Sequence, residues 1–168
     1  MSGAISAPER LAAHHELELF HCSEESLDEW LKLRALENEA KGASRTYVVC
    51  VDRRVVGFYA IAAGGIAHSV ASGKIRRNMP DPIPAMILGR LAVDLDFQGR
   101  RIGSDLLIDA IARTAKTAEI TGIRAILVPA ISDRARQFYE AYGFRSSPVN
   151  PLTLMITIAE AIRYLPSS

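Results

Sequence analysis

The chain lacks the features that mark secreted, membrane-spanning and zinc-binding proteins. Its two cysteines, Cys22 and Cys50, lie far apart without metal-ligand spacing, which favours a reduced protein over one held by disulfides. The four histidines match no zinc motif. No apolar run is long enough to span a bilayer, and no signal-peptide pattern opens the sequence. We therefore expect a soluble, cytoplasmic protein that needs neither a metal nor a membrane.

An excess of charge of one sign is also absent. The formal net charge is only +1, so overall basicity does not indicate a nucleic-acid partner, and any anionic ligand must be held by local clusters. The apolar fraction of 49% is typical of globular proteins rather than disordered ones. For 168 residues, this composition predicts one domain over residues 20–168, preceded by an irregular segment over 1–19.

Helix and strand patterns alternate along the chain. Ser26 and Glu29 form a capping-box pattern that predicts one helix ending at Gly42. Two β-rich runs on either side of residues 52–54 predict an antiparallel hairpin, and the proline-rich stretch 73–84 predicts a loop. The later elements predicted are strands over 85–94, 123–130 and 152–158, a helix over 103–121, and a helix that Ser132 caps and Gly143 ends. This order predicts an α/β protein with a mixed sheet flanked by helices.

The turn between the strand at 85–94 and the helix at 103–121 combines glycine with arginine, in the run FQGRRIGSDLL. A helix start exposes free backbone N–H groups at the positive end of the helix dipole. Gly99 and Gly103 allow an anion to approach the backbone closely, and two adjacent arginines supply positive charge. The residues therefore indicate a phosphate-binding turn, with an ordinary strand-to-helix turn as the alternative. They match neither a Walker loop nor a dinucleotide fingerprint.

Two motifs resemble those of the GNAT acetyltransferases. Residues 98–103 fit the pattern Q-x-x-[GR]-x-[GA], and residues 135–144 fit an alanine followed by F-Y-x-x-x-G-F. The resemblance implies a GNAT fold that takes acetyl-CoA as acetyl donor, with the pyrophosphate on the loop and the pantetheine arm along the preceding strand. The cofactor-binding residues that it implies are Leu91, Ala92, Val93, Gln98, Gly99, Arg100, Arg101, Ile102, Gly103, Ser104, Ala135 and Phe138.

The same resemblance implies that Tyr139 is the general acid beside the sulfur of coenzyme A. A phenol with a pKa of about 10 can protonate a leaving thiolate whose conjugate pKa is about 8.5. Tyr142, on the same helix, is interpreted as a residue at the edge of the core. No motif supplies a general base, which favours an α-amine acceptor with a pKa of about 8 over a lysine side chain at about 10.4.

The N-terminal half resembles a narrower group, the GNAT toxins of bacterial toxin–antitoxin modules. Cys22, Ser26–Asp28, Trp30–Leu31, the run ALENEAKGASRT and the run VVGFYAIAAG carry this resemblance. It implies that the chain acetylates the amino acid of charged tRNA and blocks translation. It also implies neutralisation by a ribbon-helix-helix antitoxin, with which the chain binds operator DNA, and a homodimer.

A basic surface beside the active site is expected to hold the tRNA. The candidate residues are Lys74, Arg76, Arg77 and Arg90. For the cluster at 74–77 the alternative is a solvated loop. Arg90 interrupts an apolar strand, which favours a site-facing position, with a partnered arginine at the edge of the core as the alternative. Two other functions stay open at this point. The chain could be a GNAT enzyme that acetylates a small-molecule or protein amine, or a GNAT-like binding protein with weak catalysis.

Overall fold

The computed structural model describes residues 3–167, and within them it contains seven strands and six α-helices. The strands are β1 (Glu9–Arg10), β2 (Arg45–Val51), β3 (Arg54–Ile66), β4 (Ile83–Val93), β5 (Ala125–Pro129), β6 (Arg145–Ser147) and β7 (Asn150–Thr157). The helices are α1 (Glu25–Leu33), α2 (Ala35–Lys41), α3 (Gly73–Arg76), α4 (Ile102–Thr121), α5 (Asp133–Glu140) and α6 (Ile158–Ala161). Two 3₁₀ turns cover Leu95–Phe97 and Ile162–Tyr164. None of these helices is long and apolar enough to cross a bilayer.

The strands form a mixed sheet in the order β1-β2-β3-β4-β5-β7-β6. β2 and β3 form the predicted antiparallel hairpin, whose register shifts at a bulge between Val49 and Cys50. β4 and β5 are parallel, as strands joined through a crossover helix are. β5 and β7 are antiparallel. The predicted α/β class with a mixed sheet is confirmed.

The chain divides into two compact units. The first unit contains the described residues up to Ala62 together with Arg90–Asp109, so it holds the hairpin and the turn into α4. The second unit contains Ala63–Gly89 and the described residues from Ala110 onward, so it holds α3 and α5. Each unit has an apolar cluster of its own, described below.

In the first unit, aromatic rings and aliphatic side chains from the N-terminal segment and α1 cover the hairpin. Phe20 meets Phe58 edge to face at 5.5 Å between ring centroids, and Trp30 stacks on Phe58 at 6.1 Å. The segment predicted to be irregular contributes to this core, because Leu11 and Leu17 are buried in it. Its strand β1 pairs with β2, which corrects the prediction for residues 1–19 wherever they are described. Two residues of strand carry too little pattern to be seen in the sequence.

The predicted single helix over residues 26–41 is two helices that meet at Arg34. The capping-box prediction is wrong: Ser26 lies inside α1, and the residue that starts the helix, Glu24, makes no side-chain cap. The buried carboxylate of Asp28 instead accepts the backbone N–H of Cys22 at 2.9 Å and faces the ring of His21 at 3.0 Å. The start of α1 is therefore tied down from within its own first turn.

In the second unit, the apolar cluster joins α3 to the end of β3, the start of β4, β5 and β7. Its core includes Ile66, Ile75, Ile83 and Met155. The stretch 73–84, predicted to be a loop, begins with the short helix α3, which Ser72 starts by accepting the N–H of Ile75 at 3.3 Å. This helix forms because the side chain of Ile75 is buried, which anchors the turn. The flanking basic residues and prolines alone would favour a loop.

Other local predictions for the second unit are confirmed. Ser132 caps α5 by accepting the N–H of Ala135 at 3.1 Å. Gly143 has φ of +87° just after α5, a conformation that favours glycine. A side chain there would also meet Tyr164, whose hydroxyl lies 2.7 Å from the position of a Cβ atom. Strand β6, only three residues long, was not predicted.

The two cysteines predict how stability depends on alkaline pH. Both are free and buried, and burial raises the pKa of Cys22 to about 12 and that of Cys50 to about 11, from an ordinary value of 9.0. Above pH 9 the unfolded thiols ionise while the folded ones keep their protons, so the thiols stabilise the fold less as pH rises from 9 towards these values. We expect the free energy of unfolding, from urea titrations, to fall between pH 8 and pH 10.

The matched control is the double variant Cys22→Ala/Cys50→Ala, which removes both thiols. Its free energy of unfolding is expected to fall less over the same pH interval. An equal fall in both proteins would show that other groups cause the whole effect.

Candidate functional site

The turn from β4 into α4 presents unbonded backbone N–H groups. Gly99 and Arg101 both have positive φ, +82° and +65°, which bends the chain sharply ahead of the helix. The first bond of α4 runs from the N–H of Asp105 to the carbonyl of Arg101 at 3.0 Å. Within residues 3–167, the N–H groups of Ile102, Gly103 and Ser104 reach no backbone acceptor. Three free donors at the positive end of a 20-residue helix are an arrangement that suits an anion, and the phosphate-binding turn stays a prediction.

Side chains on this turn pack back onto it. The amide of Gln98 donates to the carbonyl of Val93 at 3.0 Å, which closes the turn behind the end of β4. The guanidinium of Arg100 lies 4.9 Å from the centre of the Phe97 ring and donates to the carbonyl of Asp96 at 3.4 Å. Arg101 is exposed at the end of the turn. Both predicted arginines therefore belong to the exposed surface around the free N–H groups.

The strand residues predicted to hold the pantetheine arm end β4. Ala92 is buried in the core of the first unit, whereas Leu91 and Val93 are half-buried. Together with residues 98–104 they all lie in the first unit. Ala135, Phe138 and Tyr139 lie on α5 in the second unit.

Tyr139 is held by two other aromatic rings. Its ring meets Phe138 at 5.1 Å and Phe144 at 5.7 Å, both edge to face. Within the described residues its hydroxyl has no hydrogen-bond partner. Burial raises the pKa of Tyr139 above its ordinary value of 10.0. The phenol therefore stays neutral, as a proton donor must, at pH values at which an exposed tyrosine would ionise.

Tyr142 differs from Tyr139 in its surroundings. It is half-buried and lies 5.6 Å from Phe138 and 5.9 Å from Tyr164. This placement agrees with its interpretation as a residue at the edge of the core.

Two of the three basic residues predicted at 74–77, Lys74 and Arg76, have partners within the chain. The Lys74 ammonium lies 3.0 Å from a carboxylate oxygen of Glu160, and Arg76 donates to the carbonyl of His68 at 3.3 Å. Burial raises the pKa of Glu160, but the hydrogen bond and charge of Lys74 outweigh it and hold the pKa below its ordinary value. Arg77 is exposed and has no partner among residues 3–167. Of the three, Arg77 is the most available to a phosphate.

Arg90 stacks on an aromatic ring. Its guanidinium lies 4.2 Å from the centre of the Trp30 ring, and both residues belong to the first unit. Burial lowers the pKa of Arg90, although a guanidinium stays charged in proteins. The structure thus separates Arg90, by unit, from Lys74, Arg76 and Arg77. Its cation–π contact explains how an arginine is accommodated in an apolar strand.

Glu9, His14 and His15 have the composition of a metal site, but hydrogen bonds within the fold already use both ring nitrogens of His15. Ligand atoms of Glu9, His14 and His15 lie within 4.8 Å of one another. His15 Nδ1 accepts the N–H of Ala12 at 2.9 Å, so Nε2 carries the proton and donates to Glu9 at 2.9 Å. Both ring nitrogens of His15 are therefore used within the fold.

Sequence reasoning missed the residues that support the phosphate-binding turn. Asp94 is buried immediately after β4 and contacts Arg54 and the backbone of His21. Its local signal is visible in the run VDLD, because an aspartate after a strand often accepts the N–H two residues on, as Asp94 does from Asp96 at 3.0 Å. Its distant partners leave no such local pattern.

Comparison with known proteins identifies a family and a relative that matches nearly the whole chain. Residues 42–146 match the family described as "Acetyltransferase (GNAT) domain". The chain is 51% identical over 161 residues to a "tRNA-acetylating toxin" of Mycobacterium tuberculosis (strain ATCC 25618 / H37Rv), covering 96% of each chain.

Solved structures similar to this chain include a mutant of KacT, with a TM-score of 0.88, 22% identity, and 95% of this chain and 98% of that chain covered. AtaT complexed with acetyl-methionyl-tRNAfMet matches with a TM-score of 0.85 and 26% identity over 93% of this chain and 96% of that one. AtaT in complex with the antitoxin AtaR and DNA matches with a TM-score of 0.75 and 25% identity, over 92% and 95% respectively.

The free N–H groups at the start of α4 predict the effect of Gly103→Asp. A carboxylate in the first turn favours the helix, so the fold is retained, but it occupies the anion site and repels a pyrophosphate. We expect calorimetry to detect no binding of acetyl-CoA to this variant.

The control is Ile120→Asp, which adds the same charge to the same helix at a fully exposed position near its other end. It should bind acetyl-CoA as the unmodified protein does. Unchanged affinity in Gly103→Asp would remove the turn from the cofactor site.

Proposed function

Because this chain belongs to the GNAT acetyltransferase family, we propose that it acetylates the α-amine of the amino acid on aminoacyl-tRNA and so blocks translation. It is an N-acetyltransferase, and its acetyl donor is acetyl-CoA. The observation that carries the choice of acceptor is the 51% identity to a tRNA-acetylating toxin along 96% of both chains. The complex of AtaT with acetyl-methionyl-tRNAfMet, 26% identical to this chain, supports the same acceptor.

The site residues have separate roles in this proposal. The free N–H groups of residues 102–104 bind the pyrophosphate of acetyl-CoA, with Gln98, Gly99, Arg100 and Arg101 around them. Leu91–Val93 pair with the pantetheine arm, and Ala135 and Phe138 line the cofactor on α5. The amine nitrogen attacks the thioester carbonyl, the carbon–sulfur bond breaks, and Tyr139 donates its proton to the departing thiolate.

The acceptor fits a site without a designated base. An α-amine with a pKa of about 8 is partly neutral at physiological pH and can lose its remaining proton to water after attack. A lysine amine with a pKa of about 10.4 would need a base to reach the same reactive fraction. The proton balance closes because Tyr139 gives one proton to the thiolate and the proton that the amine releases to water restores the phenol.

The proposed partners follow from the toxin assignment. A ribbon-helix-helix antitoxin neutralises the chain, and the pair binds operator DNA and represses its own operon. The complex of AtaT and AtaR with DNA, 25% identical to this chain, supports this. We further propose a homodimer that acts in the cytoplasm, where charged tRNA is found.

The test of the acceptor uses purified protein, labelled acetyl-CoA, and charged tRNA beside deacylated tRNA. Label is expected in the charged pool only, and mild hydrolysis of the aminoacyl ester should release it as an N-acetyl amino acid. Labelling of polyamines or protein amines without labelling of charged tRNA would replace the proposal with a small-molecule or protein acetyltransferase.

Tyr139→Phe tests the general acid. The variant loses one hydroxyl and keeps its ring contacts, so fold and acetyl-CoA affinity are retained while turnover falls on the order of 10²-fold. Since burial raises the pKa of the phenol, the unmodified protein should show no loss of turnover from tyrosine ionisation as pH rises to 10.

Tyr142→Phe is the matched control, because it removes a hydroxyl from the same helix. It should turn over at nearly the rate of the unmodified protein. Equal rates for both variants would make Tyr139 a packing residue.

Arg76→Glu/Arg77→Glu tests the basic surface. Phosphate contacts release counterions, so reversing two charges should weaken binding of charged tRNA and reduce the slope of log K against log salt. Binding of acetyl-CoA should be unchanged. The control is Arg53→Glu/Lys116→Glu, which reverses two other exposed charges. Equal weakening by the two double variants would assign the effect to net charge rather than to this surface.

A further inference from the structure

The turn that carries the free N–H groups is built around one buried carboxylate. Asp94 follows β4 directly, and its side chain is 3% exposed. One of its oxygens accepts the N–H of Asp96 at 3.0 Å, and the other accepts the N–H of His21 at 3.1 Å. The backbone of Asp94 is bonded as well, since its N–H donates to the carbonyl of Val56 at 2.9 Å. The next N–H, that of Leu95, donates to the carbonyl of His21 at 2.9 Å.

Arg54 supplies the positive charge for this carboxylate. Its guanidinium lies 3.4 Å from Asp94 and 3.8 Å from the exposed carboxylate of Asp96. It extends from the first residue of β3, and that end of β3 is itself held by a backbone bond from Val55 to Glu16. The arginine thus reaches the turn from a rigid strand outside it.

Arg54 also contacts Phe97, the residue that precedes Gln98 in the turn. The Arg54 guanidinium lies 5.3 Å from the centre of the Phe97 ring, and Arg100 contacts the same ring at 4.9 Å. Arg54 therefore touches Asp94, Asp96 and Phe97, three of the four residues between β4 and Gln98. The position of Arg100 depends on this ring, and Arg100 immediately precedes the sharp bend at Arg101.

We propose that Arg54 and Asp94 are positioning residues for cofactor binding: the pair fixes the 94–100 turn so that the N–H groups of residues 102–104 converge on the pyrophosphate. This inference rests on the proposed pyrophosphate site and not on the proposed acceptor. Neither residue touches the cofactor in this scheme. Their effect passes through the backbone of the turn, because binding by backbone donors depends on the position of the chain and a small displacement weakens all three bonds together.

The test separates binding of the pyrophosphate from the rest of the reaction. Acetyl-CoA carries the pyrophosphate, whereas acetyl-pantetheine has the same thioester and lacks it. In Arg54→Met and in Asp94→Asn we expect the Kd for acetyl-CoA, and its KM, to rise about tenfold, with kcat at saturation within about twofold of the unmodified protein. The kcat/KM for acetyl-pantetheine should be unchanged.

Arg53→Met is the matched control, because it removes the same charge one residue earlier from an exposed side chain. It should leave the Kd for acetyl-CoA unchanged. The double variant Arg54→Met/Asp94→Asn should bind acetyl-CoA no more weakly than the poorer single variant, as expected for two residues that act as one unit. Arg54→Lys keeps the charge but not the planar guanidinium over Phe97, so an intermediate Kd is expected. This variant takes the place of Asp94→Asn if the latter fails to fold.

Three results would overturn the inference. One is an unchanged Kd for acetyl-CoA in Arg54→Met, and another is an equal rise in Kd for Arg53→Met. The third is an equal loss of kcat/KM with acetyl-CoA and acetyl-pantetheine, which would mean that the pair supports the fold in general. A failed acceptor assay with charged tRNA leaves all of these binding measurements intact, so the two proposals fail separately.

Discussion

A buried carboxylate must be surrounded by donors, and Asp94 meets this requirement with groups from two distant parts of the chain and from its own turn. An unpaired charge in an apolar core costs several kcal/mol, and Asp94 avoids this cost through its contacts with His21, Arg54 and the turn itself. This constraint locates the end of β4 and the start of α4 relative to the hairpin. The N–H groups at the helix start are free because the first turn of any α-helix lacks backbone acceptors, and the proposed role of Asp94 is to fix where that turn lies.

The proposed pyrophosphate site and the proposed proton donor lie in different surroundings. The proposed donors lie on half-buried Gly103 and Ser104 and on buried Ile102, directly after the exposed residues Arg100 and Arg101. Tyr139 is buried between aromatic rings, where ionisation is disfavoured and the proton is retained. The proposed anion site and the proposed proton donor thus lie in different environments, on different elements.

Local pattern was sufficient for the elements whose determinants are adjacent in sequence. The β2–β3 hairpin, the cap at Ser132, and the glycine ends at Gly42 and Gly143 could all be predicted, because each depends on residues within a few positions of one another. The capping box at Ser26 failed because the competing contacts of Asp28 lie outside the helix, at Cys22 and His21. Strand β1 and the Asp94 network were missed for a different reason: their partners are dozens of residues away.

The small net charge has a consequence for recognition of a polyanion. Lys74 is neutralised by Glu160, Arg76 is bonded to a carbonyl, and Arg90 is stacked on Trp30, so Arg77 is left as the most available charge among the four candidates. A bond to a neutral carbonyl or a stack on a ring leaves an arginine charged, so only Lys74 has its charge balanced by a carboxylate. Charged and uncharged tRNA have the same phosphate backbone, so the proposed enzyme must distinguish them at the amine, where the reaction takes place.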